Sequence, residues 1–129
     1  MKKLKLTNKY LLNRTATLSQ VMQEKLPVRA TYALTKNIDT INTALEPFNK
    51  TVGKIRNKFA KKDDKGEPIC DKKTGNQLIE DIEGCNKAME ELLDIEVSID
   101  IMQFSLANLG DVNLSGVELN AIRFMLEDF

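Results

Sequence analysis

The chain has 129 residues and a mass of 14.6 kDa, with 42% hydrophobic and 29% charged residues, no histidine, no tryptophan and two cysteines. This is an ordinary globular composition with room for one core; it lacks the commonest general base, and Cys70 and Cys85 alone cannot complete a zinc set. The formal net charge is zero but polarised: residues 1–65 carry 15 Lys/Arg against five Asp/Glu, a net +10, and residues 66–129 carry four against 14, a net −10. Two halves that fold together and neutralise one another are the first reading, and separate basic and acidic faces for two kinds of partner the second.

In chain order, Lys3-Leu4-Lys5-Leu6 alternates as a half-buried strand does. Thr7 then suits the N-cap of a helix whose apolar side is Leu11, Leu12, Ala16, Leu18, Val21 and Met22. That helix should stop near Gln23, because Pro27 disfavours helical geometry at Leu26. Pro27 suits the start of a second helix, in which Leu34, Ile38, Ile41, Leu45, Phe48, Val52, Ile55 and Phe59 are spaced alternately four and three apart. This is a coiled-coil type seam. Pro47 within it predicts a kink near residues 43–46 rather than a break, since the seam keeps its phase. The helix is expected to run out in Lys61–Lys65, with Gly66 as a left-handed terminator.

Residues 67–79 read as a small hairpin turning through Asp71–Asn76, with Gly75 left-handed, or equally as a loose excursion. A third helix from Asp81 to Asp94 presents Ile82, Cys85, Met89 and Leu92. Then Val97, Ile99 and Ile101 alternate with polar residues, a strand whose natural partner holds Leu4 and Leu6, with the hairpin as a second option. Ser115 and Glu118 form a capping box and Leu114 with Leu119 a hydrophobic staple, opening a last helix that buries Leu119, Ile122 and Met125 or Leu126. The fold class is α+β, mostly α: a long kinked helix packed with two or three shorter helices, a small β-sheet or hairpin and a capped C-terminal helix, in a single domain over residues 1–129.

Chemistry is sparse. No apolar run approaches the roughly 18 residues of a membrane helix, and the basic start is not followed by the apolar core of a secretory signal. Cys70 and Cys85 could in principle pair as a disulfide, and the first reading is two reduced, half-buried side chains. Gly110-Asp111-Val112-Asn113 begins like a calcium loop but lacks the later carboxylate and reads as a turn. Glu80, Glu83, Glu90 and Asp94 are expected as a solvated or salt-bridging face rather than a metal site. The reading is therefore no enzyme, no cofactor and no metal. Two features remain. Lys50, Lys54, Lys58, Lys61 and Lys65 step down the long helix as a basic stripe, with Arg56 and Lys62 beside them. Val52, Ile55 and Phe59 form the end of the seam that the shorter third helix need not cover. Together they are the candidate partner-binding surface.

The segments Leu6-Thr7-Asn8-Lys9 with Leu11-Leu12, Glu24-Lys25-Leu26-Pro27-Val28-Arg29, Tyr32-Ala33-Leu34, Glu91-Leu92-Leu93-Asp94 and Glu96-Val97-Ser98-Ile99-Asp100-Ile101, with the close from Leu106 to Leu126, resemble small uncharacterised reading frames of tailed bacteriophages and prophages. The resemblance implies a phage origin and production in the host bacterial cytoplasm; it brings no catalytic or binding residue, and Pro47 departs from it. The expected function is protein–protein binding that blocks a host or defence factor. The alternatives are a virion or assembly component and a binder of nucleic acid or a nucleotide signal through the basic helix face. The expected partner is a protein, with a homo-oligomer or nucleic acid as further candidates, and no membrane.

Overall fold

The computed structural model describes residues 1–127. Their elements are β1 (Lys2–Thr7), α1 (Asn8–Val21), α2 (Val28–Phe59), α3 (Ile82–Leu93), β2 (Glu96–Ile101) and α4 (Gly116–Ile122), with 3₁₀ turns at Leu106–Leu109 and Arg123–Met125. The class is α+β, mostly α. No helix among the described residues is long and apolar enough to cross a membrane. The chain divides into two compact units: Met1–Ala44 with the segment from Glu96 onward, and Leu45–Ile95. The charge polarity of the two sequence halves disappears at this level. Residues 45–95 hold ten basic and eleven acidic side chains, and the remainder nine and eight.

In the first unit β1 and β2 pair antiparallel, with Leu4 opposite Ile99, Leu6 opposite Val97 and Lys3 opposite Asp100. This is the expected pairing, and it puts both apolar sets on one face, which a slip of one residue would undo. Thr7 caps α1 by accepting the Tyr10 amide at 3.1 Å, and α1 ends at Val21, ahead of Pro27 as expected. Leu11, Leu18, Val21, Leu34, Ile41, Ile101, Ile122 and Met125 are the largest fully buried apolar side chains. Each contributes about 1.5–3 kcal/mol by leaving water. Ala16 is exposed, against expectation; the inward line of α1 instead runs through Asn8, Leu11 and Leu18, with Thr15 half-buried and its hydroxyl turned back onto the Leu12 carbonyl.

One buried residue of this unit was hidden by its polarity. Asn37 is 0% exposed, whereas Ile38, assigned to the seam, is half-buried. The Asn37 side chain donates from Nδ2 to the Met102 carbonyl at 3.0 Å and accepts the Met102 amide on Oδ1 at 2.8 Å. A straight helix drifts about 20° per heptad from a 3.5-residue repeat. The buried line therefore shifts from Ile38 to Asn37 between Leu34 and Ile41.

The last helix starts with the expected box: the Ser115 hydroxyl accepts the Glu118 amide at 3.1 Å, and the Glu118 carboxylate accepts the Ser115 amide at 3.1 Å. α4 is shorter than expected. It tightens to 3₁₀ geometry at Arg123, and Leu126 is already extended, bridging to Phe104. Leu119 is half-buried, while Ile122, Met125 and Leu126 are all buried.

In the second unit, α2 runs unbroken through Pro47 to Phe59. The helix ends earlier than expected, and the reason lies in the next segment. Ala60 bridges to Ile79 and Lys62 to Pro68. The Lys61 amide donates to the Leu78 carbonyl at 2.7 Å, Leu78 to Ile69 at 2.8 Å and Ile69 back to Lys61 at 2.8 Å. Three short extended segments thus close a ring of backbone hydrogen bonds, taking Lys61 and Lys62 out of the helix. Gly66 is left-handed at φ 78°, but it closes a turn on Asp63 and does not cap α2. The expected hairpin is present: Cys70 bridges Gln77, Asp71 Oδ1 accepts the Lys73 amide and Gly75 has φ 73°.

α3 begins as expected, with Asp81 accepting the Gly84 amide at 3.0 Å. Ile82, expected in the apolar line, is 62% exposed. Side chains lean toward a helix's N-terminus, so this first residue leans past the turn that Cys85 buries. Cys85 is buried and Cys70 exposed, and both are free thiols.

Candidate protein-docking site

All eight candidate residues lie in the second unit, on α2 or the segment after it. The seam is not buried evenly. Leu34 and Ile41 are 0–1% exposed and Leu45 and Phe48 are 4–6% exposed, but Val52, Ile55 and Phe59 are only half-buried. The apolar line therefore continues to the end of the helix while its cover thins. Phe59 lies against Gly84 of α3. A Cβ on Gly84 would stand 2.8 Å from Phe59 Cε1 and against the Asp81 carboxylate, so glycine at this position lets the start of α3 approach the ring.

The basic stripe is reduced by the early helix end. Lys50, Lys54 and Lys58 are on α2 and exposed, whereas Lys61 belongs to the ring of extended segments and Lys65 to the Asp63 turn, where its amide donates to Asp63 Oδ1 at 2.9 Å. Those two lysines are exposed but do not continue the helical stripe. At about 100° per residue, Lys58 lies about 60° from Ile55 on one flank of the seam and Arg56 about 40° from Val52 on the other. The Lys58 ammonium stands 5.4 Å from the Phe59 ring centroid, within cation–π range. Among the described residues none of the five lysines is ion-paired, so α3 does not neutralise this rim through salt bridges.

Beside Arg56 is a polar groove of about 540 Å³, which Asn76 and Gln77 of the hairpin also line. No sequence pattern points to it, because it depends on the hairpin lying alongside α2. A guanidinium next to two primary amides is a donor-rich setting for a carboxylate. The arrangement is an apolar strip with a cationic rim and a hydrogen-bonding flank. No group of three or more metal-ligating side chains among the described residues is placed to hold an ion. No protein-family model, curated protein or solved structure matches the chain.

Proposed function

We propose that this protein acts by binding another protein, without catalysis, through the second half of α2. The carrying observation is the half-buried run of Val52, Ile55 and Phe59 flanked by cations that form no ion pair among the described residues. Apolar strips with polar rims are the usual form of a protein interface. The partner that fits has an apolar ridge set among Asp and Glu side chains. The resemblance to small phage reading frames supports a host or defence factor as that partner, met in the bacterial cytoplasm and blocked by occupancy.

The test is capture from phage-infected cells with the wild-type chain, Ile55→Asp and Lys54→Glu/Lys58→Glu in parallel, each checked for folding by circular dichroism. One protein retained by the wild type and lost by both variants supports the reading. Retention of the chain in purified particles would move it to an assembly role. Capture of nucleic acid alone, falling steeply with salt, would refute it.

A further inference from the structure

A second surface lies in the first unit, on the sheet. The two bonds that Asn37 makes to Met102 fix which way the backbone of β2 points. The amide and carbonyl of Met102 face α2, away from β1. Successive residues of a strand point their polar groups to opposite sides; by that alternation those of Asp100 and Ser98 also face away from β1, and those of Ile101, Ile99 and Val97, which stand opposite Lys2, Leu4 and Leu6, face it. Among the described residues, no hydrogen bond from outside the β1–β2 ladder reaches Ser98 or Asp100. The side-chain amide of Asn37 thus takes, at one position, the place that a third strand would take, and at the next two that place is free. In front of them is an open groove of about 510 Å³, with Ser98 and Asp100 on one side and Lys36, Asp39, Thr40 and Thr43 of α2 on the other.

We propose that this edge is a strand acceptor, and that its ligand is an extended peptide segment with basic side chains at alternate positions. Adding a strand to a free edge provides backbone hydrogen bonds, and the side chains directly across set the preference. Glu96, Ser98 and Asp100 share the exposed face of β2. A third strand would put its own outward side chains opposite two carboxylates and a hydroxyl. The other edge of β2 already shows the preferred partner: β1 sets Lys3 opposite Asp100 and Lys5 opposite Ser98. The two edges of the sheet also differ. β1 carries Lys2, Lys3 and Lys5, the residue type that blunts an edge against pairing, and β2 carries none.

The probe is a capped synthetic peptide with the sequence of residues 2–7, compared with the same peptide carrying glutamate for each lysine, titrated into the full chain and followed by amide NMR. The expected result is movement of the Ser98 and Asp100 amides and their slower hydrogen exchange, with the glutamate peptide about tenfold weaker. Ser98→Pro removes an outward donor without touching the ladder to β1, and should abolish the response. Asp100→Asn with Glu96→Gln leaves the backbone alone and should weaken binding about three- to tenfold. Equal binding of both peptides, no response at Ser98 and Asp100, or loss of the Ile99 and Ile101 protection through displacement of β1 would overturn the proposal. So would a concentration-dependent dimer that competes with the peptide, since the edge would then belong to a second copy.

Discussion

Replacing Asn37 with alanine leaves two backbone groups without partners at once. Asn37 is fully buried, and its amide satisfies both the N–H and the C=O of Met102. A buried polar group that loses its partner costs about 1–3 kcal/mol. Met102 is half-buried, so water reaches part of the gap, and about 2–4 kcal/mol is expected for the pair. A domain of this size holds about 5–15 kcal/mol in all, so urea denaturation followed by far-ultraviolet dichroism should show a large fall in midpoint. Asn37→Asp separates this contact from simple packing. Burial raises the carboxyl's pKa in the folded state, and only the protonated form can both donate to the Met102 carbonyl and accept its amide. The variant should therefore approach wild-type stability below about pH 4 and lose it as pH rises through the folded-state value. An Asn37→Ala shift below about 0.5 kcal/mol, or an Asp variant indifferent to pH, would refute the reasoning.

Ser115→Ala removes the N-cap of α4 and should cost about 1 kcal/mol, read from the same denaturation curves; an unchanged midpoint would mean the box is not used. Gly84→Ala raises helix propensity by about 1 kcal/mol but forces a methyl group into Phe59 and Asp81, and should destabilise on balance by about 1–2 kcal/mol; a gain in stability would show that the start of α3 yields freely. Cys70 should react with a thiol reagent in the native state and Cys85 only on unfolding, since one is exposed and the other buried. The apolar strip should also drive self-association at high concentration: light scattering is expected to show a larger species for the wild type and a smaller one for Ile55→Asp, and identical masses for the two would remove that role.

Much of the fold was legible because its signals are local. Alternation located both strands and their pairing, and the Thr7 and Ser115 caps located two helix starts to within a residue. What was missed depends on tertiary placement. Asn37 looks like a surface residue until β2 brings Met102 against it, although its spacing, three after Leu34 and four before Ile41, was a usable hint. The end of α2 was misplaced because Lys61 is claimed by carbonyls and amides 8 and 17 residues further along the chain. That same competition removed Lys61 and Lys65 from the helical stripe. The half-buried state of Val52, Ile55 and Phe59 follows from how far the hairpin and α3 reach, which no periodicity encodes. Pro47 was expected to kink rather than break the helix near residues 43–46; α2 runs on through it to Phe59, and the unit boundary falls after Ala44.

The most direct test of the docking site is lysine footprinting of the chain free and bound to its captured partner, with acetylation read by mass spectrometry residue by residue. Lys50, Lys54 and Lys58 should lose reactivity on binding while Lys9 and Lys25, in the first unit, keep theirs. Unchanged reactivity at all three in a stable complex would contradict the assignment of the second half of α2 as the binding surface.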